Sequence, residues 1–165
     1  MQNNTDFHIR LLSVHDISAE EDLARVMIAA WRSGFRDILS DSIIETYTQF
    51  ESCADMFRQI IASGVGSMYL AQLNAQSVGL LYLLPEGETA RIEALLTVPA
   101  VWGKGVAAAL LEQAIADRAC LASVHVWPFA ENLRARRFYE KHGFLPTGKT
   151  RMGDAKELEY VRLHL

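Results

Sequence analysis

The chain is poor in cysteine, in proline and in positive charge. It has two cysteines, four prolines and a formal net charge of −4 at pH 7. Cys53 and Cys120 stand far apart and no CxxC is present, so we expect two reduced, buried thiols and no disulfide. A negative net charge argues against a nucleic-acid-binding protein that works through a broad basic face, so we expect no nucleic-acid partner.

Long apolar runs and metal-ligand motifs are also missing. No hydrophobic stretch approaches the length of ~20 residues that a membrane-spanning helix needs, and the polar start MQNNTDFHIR is not a signal peptide. We therefore expect no membrane partner and a cytoplasmic location. The five histidines form neither an HExxH motif nor a close cluster with cysteine, so we expect no metal.

The chain does have enough apolar residues for a core. Half of its 165 residues are hydrophobic, and this length favours one domain over residues 1–165. Phe7–Leu12 alternates around Ile9 and Leu11 as a strand does, and the next segments carry apolar residues at helical spacing. From Ser67 onward the pattern changes to strands, with helices predicted after Gly105 and at Asn132–His142. The predicted strands are Phe7–Leu12, Ser67–Leu73, Ser77–Leu84, Ala90–Val98, Ser123–Trp127, Phe144–Met152 and Glu157–Leu165.

The segment VPAVWGKGVAAALL, at Val98–Leu111, predicts an anion site. An apolar strand runs into a loop with Gly103 and Gly105, and the loop opens onto an alanine- and leucine-rich helix. The first N–H groups of a helix point outward without partners, and glycines let a phosphate approach them. The spacing excludes a GxxxxGK[ST] P-loop, and the third glycine of a dinucleotide fingerprint is absent. A plain glycine-containing turn remains open at this point.

A second segment, AENLRARRFYEKHGF at Ala130–Phe144, removes that ambiguity. With the glycine loop before it, the chain resembles the Gcn5-related N-acetyltransferases, in which a later strand–helix unit reads A-x-N-x-x-A-x-x-F-Y-x-x-x-G-F. Every position of this pattern is matched, by Ala130, Asn132, Ala135, Phe138, Tyr139, Gly143 and Phe144. The resemblance implies a single mixed, splayed sheet of about seven strands flanked by about four helices.

The resemblance implies acetyl-coenzyme A as cosubstrate, with its pantetheine arm in a split between two parallel strands, Leu95–Val98 and Ser123–Trp127. Backbone groups of Leu96–Val98 would bond the amides of the arm. The implied cofactor-binding residues are Leu96, Thr97, Val98, Gly103, Lys104, Gly105, Val106, Ala107, Ala108, Asn132, Ala135 and Tyr139. One position departs from the family: Trp102 stands where arginine or glutamine is usual, so Lys104 becomes the nearest cation able to help.

Two residues are the candidates for catalysis. Tyr139 matches the family position often assigned to the general acid that protonates the departing sulfur. Glu93 is the candidate base, because the family often uses a carboxylate on this strand. Strand alternation places Glu93 with Arg91 and Leu95 on one face. An exposed strand carboxylate, or one paired with Arg91, is the alternative interpretation.

The resemblance further implies direct transfer to a primary amine in a ternary complex. Trp31, Phe35 and Tyr47 are candidate wall residues of a closed pocket for a small-molecule acceptor, although helical aromatics are more often part of the core. A protein or peptide acetyltransferase and a non-catalytic acyl-coenzyme A-binding module are the competing hypotheses. A homodimer is compatible with each of them.

Overall fold

The computed structural model describes residues 7–163, so the last two residues of the predicted final strand lie outside it. The strands are β1 (Phe7–Leu11), β2 (Ser67–Leu73), β3 (Gln76–Glu86), β4 (Thr89–Thr97), β5 (Ser123–Val126), β6 (Leu145–Met152) and β7 (Lys156–Leu163). The helices are α1 (Glu20–Gly34), α2 (Asp41–Tyr47), α3 (Phe50–Ser63), α4 (Val106–Ala116) and α5 (Leu133–Lys141). Short 3₁₀ turns precede α1 and follow β4, at Ile17–Ala19 and Pro99–Val101.

The strands form one mixed sheet in the order β1-β2-β3-β4-β5-β7-β6. β1 to β4 are antiparallel neighbours, whereas β4 and β5 are parallel and are connected through α4. β7 pairs antiparallel with both β5 and β6. The predicted α/β fold with a mixed sheet of about seven strands is confirmed. The helices number five rather than about four.

Each face of the sheet carries its own hydrophobic core. On one face α1 and α3 pack against side chains of β2, β3 and β4, among them Leu70, Leu80 and Tyr82. On the other face α4 and α5 pack against the same strands and against β5 and β7. The central strands are therefore covered on both sides, which explains the nearly continuous apolar runs of β2 and β3.

The expectation of two buried thiols is half right. Cys53 on α3 is buried, and its thiol donates to the carbonyl of Tyr47 at 3.2 Å. Burial raises the pKa of the Cys53 thiol. Cys120 is exposed, because it lies in the turn between α4 and β5, where the backbone stays at the surface.

Candidate active site

A β-bulge at Glu93 opens the sheet between β4 and β5. The β3–β4 register pairs Leu83 with Ile92 but Tyr82 with Ala94, so Glu93 is an extra residue in β4. Such a bulge bends its strand and increases the local twist. β4 and β5 pair only over Thr89–Ile92 with Ser123–Val126. Beyond Ile92 the far half of β4 pairs with no strand of residues 7–163 on that side, and this opening is the split.

The position of the split corrects one sequence prediction. Ser123–Val126 pairs with the first half of β4, so these residues do not face Leu95–Val98 across the opening. The segment on the far side of the split starts at Trp127, where β5 has ended. The bulge also explains this difference, since it separates the strands at the point where β5 ends.

The bulge also changes which side chains share a face. Ala90, Ile92 and Leu95 contact the core beneath α4 and α5, whereas Ala94 and Leu96 contact the core beneath α1 and α3. The expectation that Leu95 shares a face with Glu93 and Arg91 is therefore wrong, because an extra residue shifts the two-residue alternation by one.

The backbone groups at the open edge of β4 are those of Leu95 and Thr97. Val98 donates its N–H to the carbonyl of Val78 on the β3 side, at 2.9 Å. In an antiparallel ladder alternate residues turn both backbone groups towards the partner. Leu96 therefore faces Leu80, and Leu95 and Thr97 face the split. Leu96 and Val98 therefore turn their backbone groups to β3, away from the split, which contradicts the expectation that they bond the pantetheine arm. Thr97 leaves its N–H at the split, whereas its carbonyl accepts from the indole N–H of Trp102, and binding of the arm by Thr97 stays a prediction.

The loop after β4 leads into α4, whose N-terminus has no side-chain cap. Gly103 and Gly105 have φ of 75° and 85°, values that suit glycine, and Gly105 precedes α4 with no side-chain cap. Among the described residues, no hydrogen bond uses the N–H of Gly103, of Gly105 or of the first three residues of α4, Val106, Ala107 and Ala108. A Cβ at either glycine would meet no atom within 4 Å, so the space beside these two glycines is open.

Close packing holds the start of α4 in this place. A Cβ at Gly79 on β3 would lie 3.0 Å from Leu110 and 3.2 Å from Val106 of the helix. A larger residue at this position would push these side chains aside, so glycine suits the close approach of the helix to the sheet. Val106, Leu110 and Leu111 are almost completely buried there. The N-terminus of α4 is thus a closely packed group of donors that no other described residue uses, and such a terminus suits an anion such as a phosphate.

Trp102 is anchored from two sides within this loop. Its indole N–H donates to the carbonyl of Thr97 at 3.0 Å. The guanidinium of Arg134, at the start of α5, lies over the indole ring, 3.5 Å from its centroid. Lys104 is exposed, and it forms no ion pair among residues 7–163. Two cations therefore lie in or beside the loop, Lys104 in the loop itself and Arg134 from α5.

Tyr139 lies on α5 in the core beneath α4 and α5, which also contains Leu95. Its ring packs edge-on against Phe138 and Phe144, and only 6% of the residue is exposed. No hydrogen bond within residues 7–163 involves its hydroxyl, and burial raises the pKa of the phenol. The side chain is therefore a neutral O–H donor whose proton is not committed to another protein group.

Asn132 and Ala135 form the start of α5. The Asn132 side-chain carbonyl accepts from the N–H of Ala135 at 3.1 Å, so Asn132 caps the helix. This cap fixes the first turn of α5, from which Arg134 projects. The Asn132 side-chain amide N–H groups are used in none of the hydrogen bonds among the described residues, and they remain open to a ligand.

Glu93 is ion-paired at the mouth of the split. Arg91 bonds Glu93 and also Glu86, the latter at 2.7 Å. These contacts, led by the hydrogen bond that Arg91 donates to Glu86, raise the pKa of Arg91. The carboxylate is 45% exposed, and its charge adds to the burial that raises the pKa of Tyr82, a residue beneath α1 and α3. Glu93 and Tyr139 thus lie on opposite faces of the sheet, with the split between them.

The three predicted wall residues come together. Trp31 lies 5.1 Å from Phe35 and 5.2 Å from Tyr47, measured between ring centroids. Phe129, just after β5, adds a fourth ring 5.2 Å from Phe35. Trp31 is also part of the core beneath α1, whereas the other three rings belong to neither core. A pocket beside them is lined by Arg32, Arg36, Asp41, Ile44, Glu45 and Thr48.

Across residues 7–163, three or more His, Cys, Asp or Glu side chains are nowhere grouped so that they could hold a metal ion. No helix in this range combines the length and the apolar character needed to cross a membrane.

Comparison with known proteins identifies the family. A sequence profile described as the acetyltransferase (GNAT) family matches residues 29–144. The chain belongs to this family. Acetyl-coenzyme A is accordingly its acetyl donor, and the open donors at the start of α4 fit a phosphate-containing cosubstrate. No curated protein sequence matches the chain.

Solved structures share the fold at low sequence identity. The PaiA N-acetyltransferase from Thermoplasma acidophilum, in complex with coenzyme A, is 20% identical with a TM-score of 0.79, over 96% of this chain and 99% of that one. PH1933 from Pyrococcus horikoshii OT3 is 16% identical with a TM-score of 0.74, over 96% and 98%. An acetyltransferase from Thermus thermophilus is 19% identical with a TM-score of 0.73, over 95% and 96%. These likenesses establish the fold.

Sequence reasoning missed three residues of this site. Leu95 is hidden by the bulge, for which the run RIEALL has no signal. Arg134 looks in the sequence like part of a solvated helix face, since its contact with Trp102 joins residues far apart in the chain. Phe129 is a single aromatic after a strand, and only the position of the α1 aromatics reveals its role.

Proposed function

We propose that the protein transfers the acetyl group of acetyl-coenzyme A directly to a primary amine of a small molecule, in a ternary complex. The observation that carries this proposal is the continuity of β4 and α4. A strand with a free backbone edge runs into a helix whose first N–H groups have no partner among the described residues. Together these elements suit a ligand that has amides along an extended arm and phosphates at one end.

The free edge of β4 is proposed to hold the pantetheine arm. Leu95 with its N–H and carbonyl, and Thr97 with its N–H, present the backbone groups that an added strand would use, since the Thr97 carbonyl already accepts from Trp102. Farther along, the N–H groups of Gly103, Gly105 and the first turn of α4 bind the pyrophosphate. Lys104, Asn132 and Ala135 are proposed to complete the cosubstrate site.

Aminolysis of a thioester needs a neutral amine beside the acyl carbon, a donor to the carbonyl oxygen and a proton for the leaving sulfur. Holding both reactants in one cleft supplies the proximity, which contributes several kcal/mol in well-oriented systems. The N–H of Leu95 is the open-edge donor next to the bulge, and we assign it to the thioester oxygen as negative charge develops there.

Tyr139 is proposed as the general acid. Its hydroxyl has no partner among the described residues, and burial keeps the phenol protonated. A phenol is a suitable donor to a departing thiolate, because the ordinary pKa values of the two groups are close. Glu93 lies on the other face of the sheet, from which the amine would enter, and is proposed to accept the proton of the amine through water.

Glu93→Gln is expected to lower turnover at pH values where the amine is protonated, with recovery as the pH rises. The reason is that a base is required only while the acceptor still carries its extra proton. The measurement is turnover against pH. Glu86→Gln is the matched control, since Glu86 also pairs with Arg91 but lies in the hairpin before β4, and we expect it to keep the parent profile. A profile for Glu93→Gln that matches the parent would make Glu93 a structural strand residue.

A small acceptor is favoured by the aromatic cluster. Trp31, Phe35, Tyr47 and Phe129 bring rings from α1, from α2 and from the end of β5 to one place. The adjoining pocket is lined by side chains of both signs, Arg32 and Arg36 together with Asp41 and Glu45. Such a lining suits a compact polar amine, whereas a protein substrate needs an open groove for an extended chain.

The acceptor is tested by release of free thiol from acetyl-coenzyme A in the presence of amines, polyamines, amino acids, aminoglycosides and peptides. We expect at least one small primary amine to raise the rate above the hydrolysis background, and peptides to leave it unchanged. Thiol release with peptides alone would make the protein a peptide acetyltransferase. Tight coenzyme A binding without release for any amine would support a binding module.

A further inference from the structure

The phosphate-binding loop has a second cation beside it, which α5 supplies. Between Val98 and Ala108 the only charged side chain is that of Lys104. Trp102 occupies the position at which arginine or glutamine is usual in the pattern that this loop resembles. Its ring is covered by the guanidinium of Arg134, whose central carbon lies 3.5 Å from the ring centroid.

The contact between Arg134 and Trp102 is built from both sides. The indole N–H is bonded to the carbonyl of Thr97, so the ring has a fixed orientation in the loop. Arg134 is the second residue of α5, directly after the cap formed by Asn132. Gly34, at the end of α1, leaves room for the guanidinium, since a Cβ there would lie 3.4 Å from Nη2.

Arg134 has no anionic partner among the described residues. None of the hydrogen bonds or ion pairs within residues 7–163 uses its guanidinium. The residue is exposed at the surface, and partial burial of its guanidinium lowers the pKa of this group. Arg136 on the same helix is different, because it donates to the hydroxyl of Tyr160 and to the carbonyl of Ala130, both at 3.0 Å. An arginine held in place with free donors is ready for an anion.

We propose that Arg134, held on the ring of Trp102, binds the pyrophosphate of acetyl-coenzyme A in place of the cation missing from the loop. Stacking on an aromatic ring leaves the edges of a guanidinium free, and these edges donate two parallel hydrogen bonds to a phosphate. The inference rests on the proposed function, in that it assigns a residue to the same cosubstrate site. In this interpretation the ring of Trp102, which replaces the usual arginine or glutamine of the loop, positions Arg134.

The test is a calorimetric titration of coenzyme A and of 3′-dephospho-coenzyme A into the parent and into Arg134→Gln. We expect the variant to bind both ligands about tenfold more weakly, the effect of losing a charge-assisted contact. Arg137→Gln is the matched control, because Arg137 is exposed one turn farther on and has no partner among residues 7–163. Its affinities should equal those of the parent.

Each other outcome has a defined meaning. Equal affinity of Arg134→Gln and the parent would overturn the inference while leaving the proposed function intact. A loss seen with coenzyme A but not with the dephospho form would place Arg134 at the ribose phosphate, and this also overturns it. A parent that binds neither ligand would remove the proposed function itself.

A second variant tests the exchange of cations directly. Trp102→Arg introduced into Arg134→Gln returns a cation to the loop position, and we expect most of the lost affinity for both ligands to return. A melting temperature close to that of the parent shows that the double variant is folded. If the folded double variant binds no better than Arg134→Gln, the two positions do not share one role and the inference is wrong.

Discussion

Tyr139→Phe is expected to lower turnover by about 10²–10⁴-fold and to leave the affinity for coenzyme A unchanged. Only the hydroxyl is removed, and it has no partner among the described residues, so the packing of the ring against Phe138 and Phe144 is retained. Turnover and a calorimetric titration of coenzyme A, measured on the same preparation, separate the two effects.

Tyr69→Phe is the control for the loss of a buried phenol. Burial and a hydrogen bond to Asp117 raise the pKa of Tyr69 to about 12, but its hydroxyl is committed to that carboxylate at 3.1 Å. We expect this variant to turn over like the parent. Normal turnover of Tyr139→Phe would show that water or another group protonates the leaving thiolate.

The pH dependence of the parent follows from the same group. Burial raises the pKa of Tyr139 above its ordinary value of about 10, so the donor remains protonated as the pH rises. Over the same range of rising pH, a larger fraction of the acceptor amine is neutral and able to attack the thioester. We therefore expect turnover to rise with pH and to show no alkaline decline from this tyrosine below about pH 10.

Gly105→Glu is expected to abolish the stabilisation that coenzyme A gives the parent. At a hundred times its dissociation constant a ligand stabilises the folded state by about 2.7 kcal/mol. A glutamate at this position places bulk and negative charge against the pyrophosphate, in space that is now open. Thermal melts with and without coenzyme A measure the shift, and NAD and ATP should have little effect on the parent.

Gly87→Glu is the matched control for this substitution. Gly87 has a φ of 67°, against 85° for Gly105, and a Cβ at either position would meet no atom within 4 Å. Both variants therefore carry a similar backbone penalty, but Gly87 lies in the hairpin between β3 and β4, away from α4. We expect Gly87→Glu to retain the shift. Loss of the shift in both variants would assign the effect to strain.

The parts of the fold that were predicted depend on local patterns. Alternation identified the strands, and glycines marked the start of the α4 segment and the end of the α5 segment, at Gly105 and Gly143. The phosphate loop was predicted because its donors belong to one short stretch of chain. Tyr139 was predicted by resemblance alone, and the structure adds that it is buried, with a hydroxyl that has no partner within residues 7–163.

The parts that were missed depend on pairing between distant segments. An inserted residue such as Glu93 looks like any other strand residue, and only its register with Tyr82 and Leu83 shows the bulge. That single residue reverses the face of Leu95 and decides which backbone groups meet the split. The contact between Trp102 and Arg134 likewise joins residues from two distant segments, which no periodicity links.

In the proposed reaction the acetyl group passes directly from acetyl-coenzyme A to a small amine. A single-turnover experiment with the acetyl group of acetyl-coenzyme A labelled, the enzyme in excess and a responsive amine present, tests it most directly. We expect the label to appear on the amine at the rate at which the label leaves coenzyme A, and never to be found on the protein. Label that accumulates first on the protein, for example on exposed Cys120, would contradict direct transfer.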